Sequence, residues 1–367
     1  MKPKDILKEI APVVLVTIAG TFVFAFAAFV VIEDRLPDAL LDLWNTWDAQ
    51  HYINIAKYGY SSSTVDERNL LIVFFPLFPL LTSIFALVFQ DYIVSALIVS
   101  NLAYGAAAYY LYKLVKIDFD SDDAYRAVMY FSIFPTAYFM HAVYTESLFL
   151  ALTIASFYYA RKENWALSGV IGMLAAATRI TGILILPVLI IEYLSQREYK
   201  ISSIRKDVVW IGVIGLGLVS YLIINFIVYG DPFQFMVIQN EHWNKKLALP
   251  FKGLTLAWEL VSDRNPAESL LGSWAETVFA ALGLVLITIS FFKLRLSYSL
   301  YALATWLVVT STWFWLSIPR YTLSMFPIFI VLALLGRRKE VHFLITFISI
   351  LFYALFLSTF VRFRWAF

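Results

Sequence analysis

Long apolar runs recur along this chain, and no other feature limits its fold so tightly. Runs of roughly 18 or more apolar residues are candidates for membrane-crossing helices, and spans are read at about 11–32, 70–89, 92–114, 127–142, 145–160, 165–178, 181–195, 208–229, 272–292, 298–316, 321–335 and 341–360. The alternating pattern of a β-barrel is absent, so helices must satisfy the backbone inside lipid. Composition agrees: 61% of residues are apolar, 15% are charged and the mean hydropathy is +0.76. A soluble domain carries about a quarter charged residues. The reading is an all-α, polytopic transmembrane helical bundle of about 11 spans, one integral membrane domain over residues 1–367.

Charge sets the orientation. A net charge of +2 gives no reason to expect nucleic acid, and the absence of cysteine excludes disulfides, thiolate metal sites and a cysteine nucleophile. Lys2, Lys4 and Lys8 precede a first span long enough to be retained as a helix. Basic residues mark the cytoplasmic side, which assigns inward the N-terminus, Arg197 to Lys206, Lys293 with Arg295, and Arg337 to Lys339. Two longer polar segments then face outward. Residues 33–69 carry three basic against seven acidic residues, and residues 230–270 carry four against five. Parity leaves one choice open between 69 and 196. Either 165–195 is one long helix broken near Arg179, which puts Glu146 inside, or an apolar segment such as 70–82, interrupted by Pro76 and Pro79, enters without crossing, which puts Glu146 outside. Lys113, Lys116, Arg126, Arg161 and Lys162 favour the second. Arg362 and Arg364 fall outside in both schemes, against the charge rule.

The chemistry concentrates just after the first span, in Leu43-Trp44-Asn45-Thr46-Trp47-Asp48-Ala49-Gln50-His51-Tyr52. On a helix, Trp44, Trp47, Asp48 and His51 fall on neighbouring strips of one face. A carboxylate at that depth has to be useful or hidden, and we read Asp48 as the general base of a membrane enzyme. The plain alternative is an exposed interfacial acid, as Asp34, Asp38 and Asp42 are read. Pro76 and Pro79 read as a proline-started helix. His141 to Glu146 and Arg179 place ionisable groups among apolar spans, where they face a cavity or a partner; a helix-start acid and a snorkelling arginine are the alternatives. Arg179 needs an anion, and Glu146 or a phosphate would serve. Gly230-Asp231-Pro232 is a turn signature leading into Gln239, His242 and Trp243, a polar and aromatic mixture that suits carbohydrate or an ordinary amphipathic helix. Arg320 in Ser317-Ile318-Pro319-Arg320-Tyr321 sits at a helix start, the end that disfavours a cation, which favours a lipid phosphate there. The four histidines, at 51, 141, 242 and 342, show no metal-ligand spacing. Asp118-Phe119-Asp120 reads as a solvated turn, and no glycine-rich nucleotide loop is present.

These segments together resemble the PIG-V-type mannosyltransferases, the GPI mannosyltransferase 2 family. The resemblance rests on Trp47-Asp48-Ala49-Gln50-His51-Tyr52 with Ile55-Ala56 and Gly59-Tyr60, on Phe74-Phe75-Pro76-Leu77-Phe78-Pro79, on Tyr144-Thr145-Glu146-Ser147, on Thr178-Arg179 with Thr181-Gly182, on Gly230-Asp231-Pro232, and on Pro319-Arg320-Tyr321 with Phe326-Pro327. It implies a GT-C membrane glycosyltransferase, a prokaryotic homologue being equally compatible, that needs no metal or other cofactor. Such an enzyme takes a mannosyl or other hexosyl unit from a polyprenyl (dolichyl) phosphate sugar and passes it, with inversion, to a glycolipid or glycan acceptor on the extracytoplasmic side. The membrane is the plasma membrane in a prokaryote and the endoplasmic reticulum in a eukaryote. The resemblance maps the catalytic aspartate onto Asp48, with Trp47 beside it and Gln239 from the second outer loop. Arg179 and Arg320 are the candidates for the phosphate, and His51, Tyr144, Glu146 and Tyr321 complete the expected binding residues. A transporter or polyprenyl-phosphate-binding protein is the rival, with Glu146 and Arg179 as a relay, although no repeat symmetry between halves is evident. A supporting subunit of another transferase is the third reading. Acceptor, linkage and protein partners are not written in the sequence.

Overall fold

The computed structural model describes residues 3–60, 70–243, 245–259 and 270–367. Parts of both long polar segments, 61–69 and 260–269, lie outside the described residues, including Asp66, Glu67 and Arg68 of the charge count. Among the described residues the fold is helical throughout, with one isolated antiparallel bridge between Leu247 and Thr312. Five helical stretches are long and apolar enough to cross a bilayer by length and composition: Lys4–Glu33, Tyr92–Val115, Lys206–Tyr229, Leu270–Lys293 and Lys339–Phe360. Large apolar side chains such as Leu15, Val16, Ile227 and Phe292 are exposed on them, as lipid-facing surfaces require.

The chain rises and falls between two ends. Helix α1 (Pro3–Glu33) is followed by the short amphipathic α2 (Asp48–Tyr58), then α3 (Leu77–Phe89), α4 (Tyr92–Val115) and α5 (Ser121–Ser132). Helices α6 (Glu146–Arg161), α7 (Trp165–Ala176) and α8 (Ile185–Ser195) form the centre, and α9 (Gly215–Tyr229) closes that half. The outer α10 (Gln234–His242) and α11 (Lys252–Glu259) come next. Helices α12 (Ala275–Lys293), α13 (Leu296–Thr310), α14 (Ile318–Leu323), α15 (Pro327–Leu335) and α16 (Lys339–Phe360) complete the bundle.

Ion pairs and hydrogen bonds register one end. Glu9 accepts from the Tyr112 hydroxyl at 2.6 Å, Asp118 pairs with Arg161 at 2.5 Å, Glu192 with Arg295 at 3.1 Å, and Asp123 with Arg337 at 2.5 Å. This is the end at which the basic clusters of the sequence gather. The opposite end is tied by Glu33 to Arg362 at 2.6 Å and by the Tyr144 hydroxyl to the Thr46 carbonyl at 3.0 Å.

This register resolves the parity problem. Helix α7 does not continue into α8: a Cβ on Gly182 would lie 2.5 Å from the Ala175 carbonyl oxygen, so the chain folds back on itself after Arg179. Glu192 near the end of α8 then meets Arg161 at the end of α6. One broken helix over 165–195 is therefore ruled out. The other option agrees with the geometry. Helix α3 starts beside Ala177, whose carbonyl accepts the Leu77 N–H at 3.1 Å, while α4 draws level with Tyr144 at Ser100. The first eight residues of α4 thus extend about 12 Å beyond that level, so both ends of α3 stay in the half of the bundle that contains Glu146.

The expected span 127–142 needs correction. Helix α5 stops at Ser132, and Pro135, which lacks an N–H and clashes with a preceding carbonyl, leads into turns and a short 3-10 helix, Ala137–Met140. Likewise 321–335 is broken at Pro327, and 298–316 ends as helix at Thr310. Close helix approach depends on glycine, as expected where apolar contact alone gives no preference over lipid. Cβ atoms on Gly169 and Gly217 would lie 2.0 Å from the carbonyl oxygens of Trp210 and Met173, which locks α7 against the span leading into α9.

Candidate active site

Helix α2 begins at Asp48, where an acid favours the helix N-terminus, and it ends at Gly59 with φ +67° after Lys57 in the last turn. Its apolar face, with Tyr52, Ile53 and Ala56 buried, packs on α3, the Tyr52 and Phe78 rings lying 5.4 Å apart. That leaves Asp48 and His51 towards a cavity of about 590 Å³. Burial, and then the neighbouring Asp48 carboxylate, hold the Tyr52 phenol above its ordinary pKa range. Trp47 precedes the helix with φ +52° and ψ −124°, a strained conformation for a residue with a Cβ. Trp44 does not share the face expected for it. It lies in the preceding 3-10 turn, buried against Phe22 and Phe360, because the helix starts only after it.

Three further segments converge on the same cavity. Glu146 opens α6 and is fully buried. Its Oε1 receives Arg179 Nη1 and Arg320 Nε, both at 2.5 Å, while Oε2 has no hydrogen-bond partner among the described residues. Arg179 stands in extended backbone at the reversal after α7, with the Tyr321 ring centroid 5.2 Å from its guanidinium. Arg320 also reaches Asp48, its Nη1 lying 3.0 Å from Oδ2, and its guanidinium covers the Tyr144 ring at 4.5 Å. The anion demanded by a cation at that helix start is thus supplied first by two protein carboxylates. Glu146 is shared by both arginines, Asp48 takes Arg320 alone, and both arginines also line the cavity.

Of the residues expected from the sequence, Trp47, Asp48, His51, Tyr144, Arg179, Gln239, Arg320 and Tyr321 line this cavity. Glu146 does not; it sits behind the two arginines. His141 is also away from it, buried edge-on to Tyr104 with Nδ1 2.9 Å from Asn101 Oδ1. The outer loop delivers Gln239 through the Asp231 turn, whose Oδ1 accepts the Phe233 N–H at 2.9 Å, and through Asn225, whose Oδ1 accepts the Phe235 N–H at 3.1 Å. Sequence reasoning missed four contributors. Lys245 lines the cavity and donates to the Tyr321 hydroxyl at 2.9 Å. Trp365 and Phe367 form part of its wall. Glu276, buried in α12, accepts the N–H groups of Ser317 at 2.7 Å and Ile318 at 2.6 Å, and so caps the helix that carries Arg320. An acid one turn into an apolar span was the available signal for Glu276; Trp365 offered none. Among the described residues no group of three or more His, Asp or Glu side chains is placed to hold a metal ion.

Residues 75–228 match the family profile described as dolichyl-phosphate-mannose-protein mannosyltransferase. GPI alpha-1,6-mannosyltransferase 2 of Rattus norvegicus is 32% identical over 162 residues, covering 41% of this chain and 32% of that protein. Its Mus musculus counterpart is 34% identical over 165 residues, covering 41% and 31%. The match therefore spans about a third of the length of these relatives. In fold, the chain resembles the crystal structure of ArnT from Cupriavidus metallidurans bound to undecaprenyl phosphate, with a TM-score of 0.58 at 13% identity over 95% of this chain and 70% of that one. The resemblance read from the motifs is matched over residues 75–228 by a mannosyltransferase profile, and the fold is similar to that of ArnT. Of the lining residues expected from the sequence, only Tyr144 and Arg179 lie within 75–228; the segment carrying Asp48 precedes that region and the one carrying Arg320 follows it.

Proposed function

We propose that this protein transfers a mannosyl residue from a polyprenyl phosphate sugar to a hydroxyl of a glycolipid or glycan, at the extracytoplasmic end of the bundle, with Asp48 as general base. The observation that carries the proposal is the ladder Asp48–Arg320–Glu146–Arg179. Four distant segments meet there: three bring a carboxylate and two arginines onto one cavity wall, and the fourth sets Glu146 behind them. The basic clusters at the opposite end support the outward orientation, and the ArnT structure of like fold holds undecaprenyl phosphate.

Charge supports a monophosphate donor. Arg179, Arg320 and Lys245 stand against Asp48 and Glu146, a surplus of one positive charge. A phosphodiester donor carries one negative charge and neutralises that surplus. During transfer the acceptor O–H gives its proton to Asp48, the acceptor oxygen bonds to the anomeric carbon, and the carbon–oxygen bond to phosphate breaks with its electron pair moving to the phosphate. Asp48 becomes neutral as the leaving phosphate gains its second charge, so the wall stays balanced. Arg320 holds the Asp48 carboxylate; a phosphate that draws Arg320 away frees that oxygen to take the acceptor proton.

Purified protein with radiolabelled dolichyl phosphate mannose and an extracted lipid and glycan pool tests the reading. Wild type yields labelled product, and Asp48→Asn loses about 10²–10⁴-fold, the usual contribution of a positioned base. Near-normal turnover by a well-folded Asp48→Asn rejects the assignment. No product from either, with no binding of polyprenyl phosphate, moves the protein to the transporter class.

A further inference from the structure

Trp47 and Trp365 come from opposite ends of the described chain and meet at the cavity with ring centroids 5.5 Å apart and planes at 81°. Both line it, and Trp47 is 43% exposed, an unusual position for an indole whose backbone is already strained. Trp365 is held there from either side. The Ala366 carbonyl accepts from the buried Tyr138 hydroxyl at 2.6 Å, the Phe367 ring packs 4.8 Å from Phe356, and Arg362 is fixed by Glu33. Nothing in this arrangement serves the phosphate.

The contacts along the wall have an order. They run from Trp365 to Trp47, to Asp48 by the chain itself, then to Arg320, through Glu146 to Arg179, and on through Tyr321 to Lys245. In that order the cations follow Asp48 and the uncharged indoles precede it. We infer that the indole corner is the acceptor subsite, and that it takes the pyranose ring of a neutral sugar. Two perpendicular indoles offer a face for the C–H side of the ring and a second wall to fix its rotation. Trp47 and Asp48 are consecutive, with Cα atoms about 3.8 Å apart, so a ring lying on Trp47 presents hydroxyls to the base. A serine or threonine acceptor has no such face to use. The inference rests on the transferase reading and specifies its acceptor side, with Trp365 as the specificity-determining residue.

The test uses octyl α-D-mannopyranoside as acceptor and dolichyl phosphate mannose as donor, with Trp365→Phe and Trp365→Leu beside wild type. Leucine keeps apolar volume but has no aromatic face; phenylalanine keeps a face. The expected result is a rise in the acceptor KM of about 10-fold for Trp365→Leu, equivalent to roughly 1.4 kcal/mol, with most of it recovered by Trp365→Phe and donor KM unchanged in both. Equal acceptor KM in all three proteins, or a parallel loss for donor and acceptor, overturns the subsite. If wild type transfers nothing to this acceptor, the lipid and glycan pool and phosphate-binding assays decide the transferase reading, and equilibrium binding still tests the corner. Octyl mannoside is titrated against octyl tetraethylene glycol by tryptophan fluorescence. Sugar-dependent quenching that weakens in Trp365→Leu supports the inference, and identical responses to both amphiphiles overturn it.

Discussion

Two buried glutamates, each between two arginines, sit at opposite ends of this molecule and do different work. Glu192, near the basic end, is fully used. Its Oε1 meets Arg295 at 3.1 Å and Gln196 at 2.7 Å, with Arg161 at 3.5 Å, and its Oε2 receives Ser297 at 2.6 Å and Arg295 Nε at 3.2 Å. Arg161 is further satisfied by Asp118 and the Tyr298 hydroxyl at 2.8 Å. Glu146 has the same neighbours in kind, yet both arginines crowd onto Oε1 and both also line a cavity. Saturated donors make a staple. Donors left over, on a wall with surplus positive charge, are what the proposed phosphate site requires. The difference lies in the supporting shell: polar side chains close the first cluster, while aromatic rings of Tyr144, Phe139 and Tyr321 hold the second without consuming its hydrogen bonds.

The sharpest way to break that contrast is to remove the same atom type from each. Arg320→Gln is expected to lower transfer by about 10²–10³-fold, as loss of one preorganised donor to a developing negative charge does. Arg295→Gln is expected to lower the thermal midpoint while turnover per folded molecule stays within about twofold of wild type, since it touches no reacting atom. Equal losses of turnover in both variants would show that the basic-end cluster is no mere staple.

A smaller effect sharpens it. A polyprenyl phosphate that binds only the folded protein stabilises it by about 2.7 kcal/mol at a hundred times Kd. Undecaprenyl phosphate should therefore raise the midpoint of wild type and of Arg161→Gln alike. In Arg179→Gln and Lys245→Gln the rise should shrink, with Lys245→Gln retaining more because the arginine fork remains. An undiminished rise in both cavity variants would remove the phosphate from this wall.

The sequence exposed three of the four charged lining residues for a physical reason. Asp48, Arg179 and Arg320 are charges among apolar residues, and in such a chain every charge needs a partner or a task. What it could not show was which task belonged to which. Glu146 reads as a ligand contact until its depth behind Arg179 and Arg320 is seen, and Trp44 reads as a partner of His51 until the helix start at Asp48 is known. Lys245 acquires its place only because the loop after α10 is pinned to 311–313, by Ala248 N–H to the Ser311 carbonyl at 3.0 Å and Trp313 N–H to the Lys246 carbonyl at 2.9 Å. Five apolar stretches are legible by length and composition, yet 127–142, 298–316 and 321–335 read as continuous because hydropathy does not register the breaks after Ser132, Thr310 and Leu323.

Glu276 is the residue on which the contrast between saturated and open clusters turns most finely. It is saturated, like Glu192, but it serves the open cluster by capping the two N–H groups at Ser317 and Ile318. Ser317 stands at φ +68°, a conformation a non-glycine residue holds only when its surroundings insist. Glu276→Gln can accept one of the two N–H groups and turns a donor on the other, at a cost of about 1–3 kcal/mol. The strained turn then relaxes, and Arg320, three residues on, loses its aim. The expected outcome is a fall in kcat of about 10-fold, since effective catalysis is sensitive to misplacement of about 1 Å, with acceptor KM unchanged. Glu276→Asp, which keeps two acceptor oxygens, recovers most of the loss. A variant that lowers the midpoint and leaves kcat alone would make Glu276 a stability element, as Glu192 is, and would confine the open cluster to the residues that face the cavity.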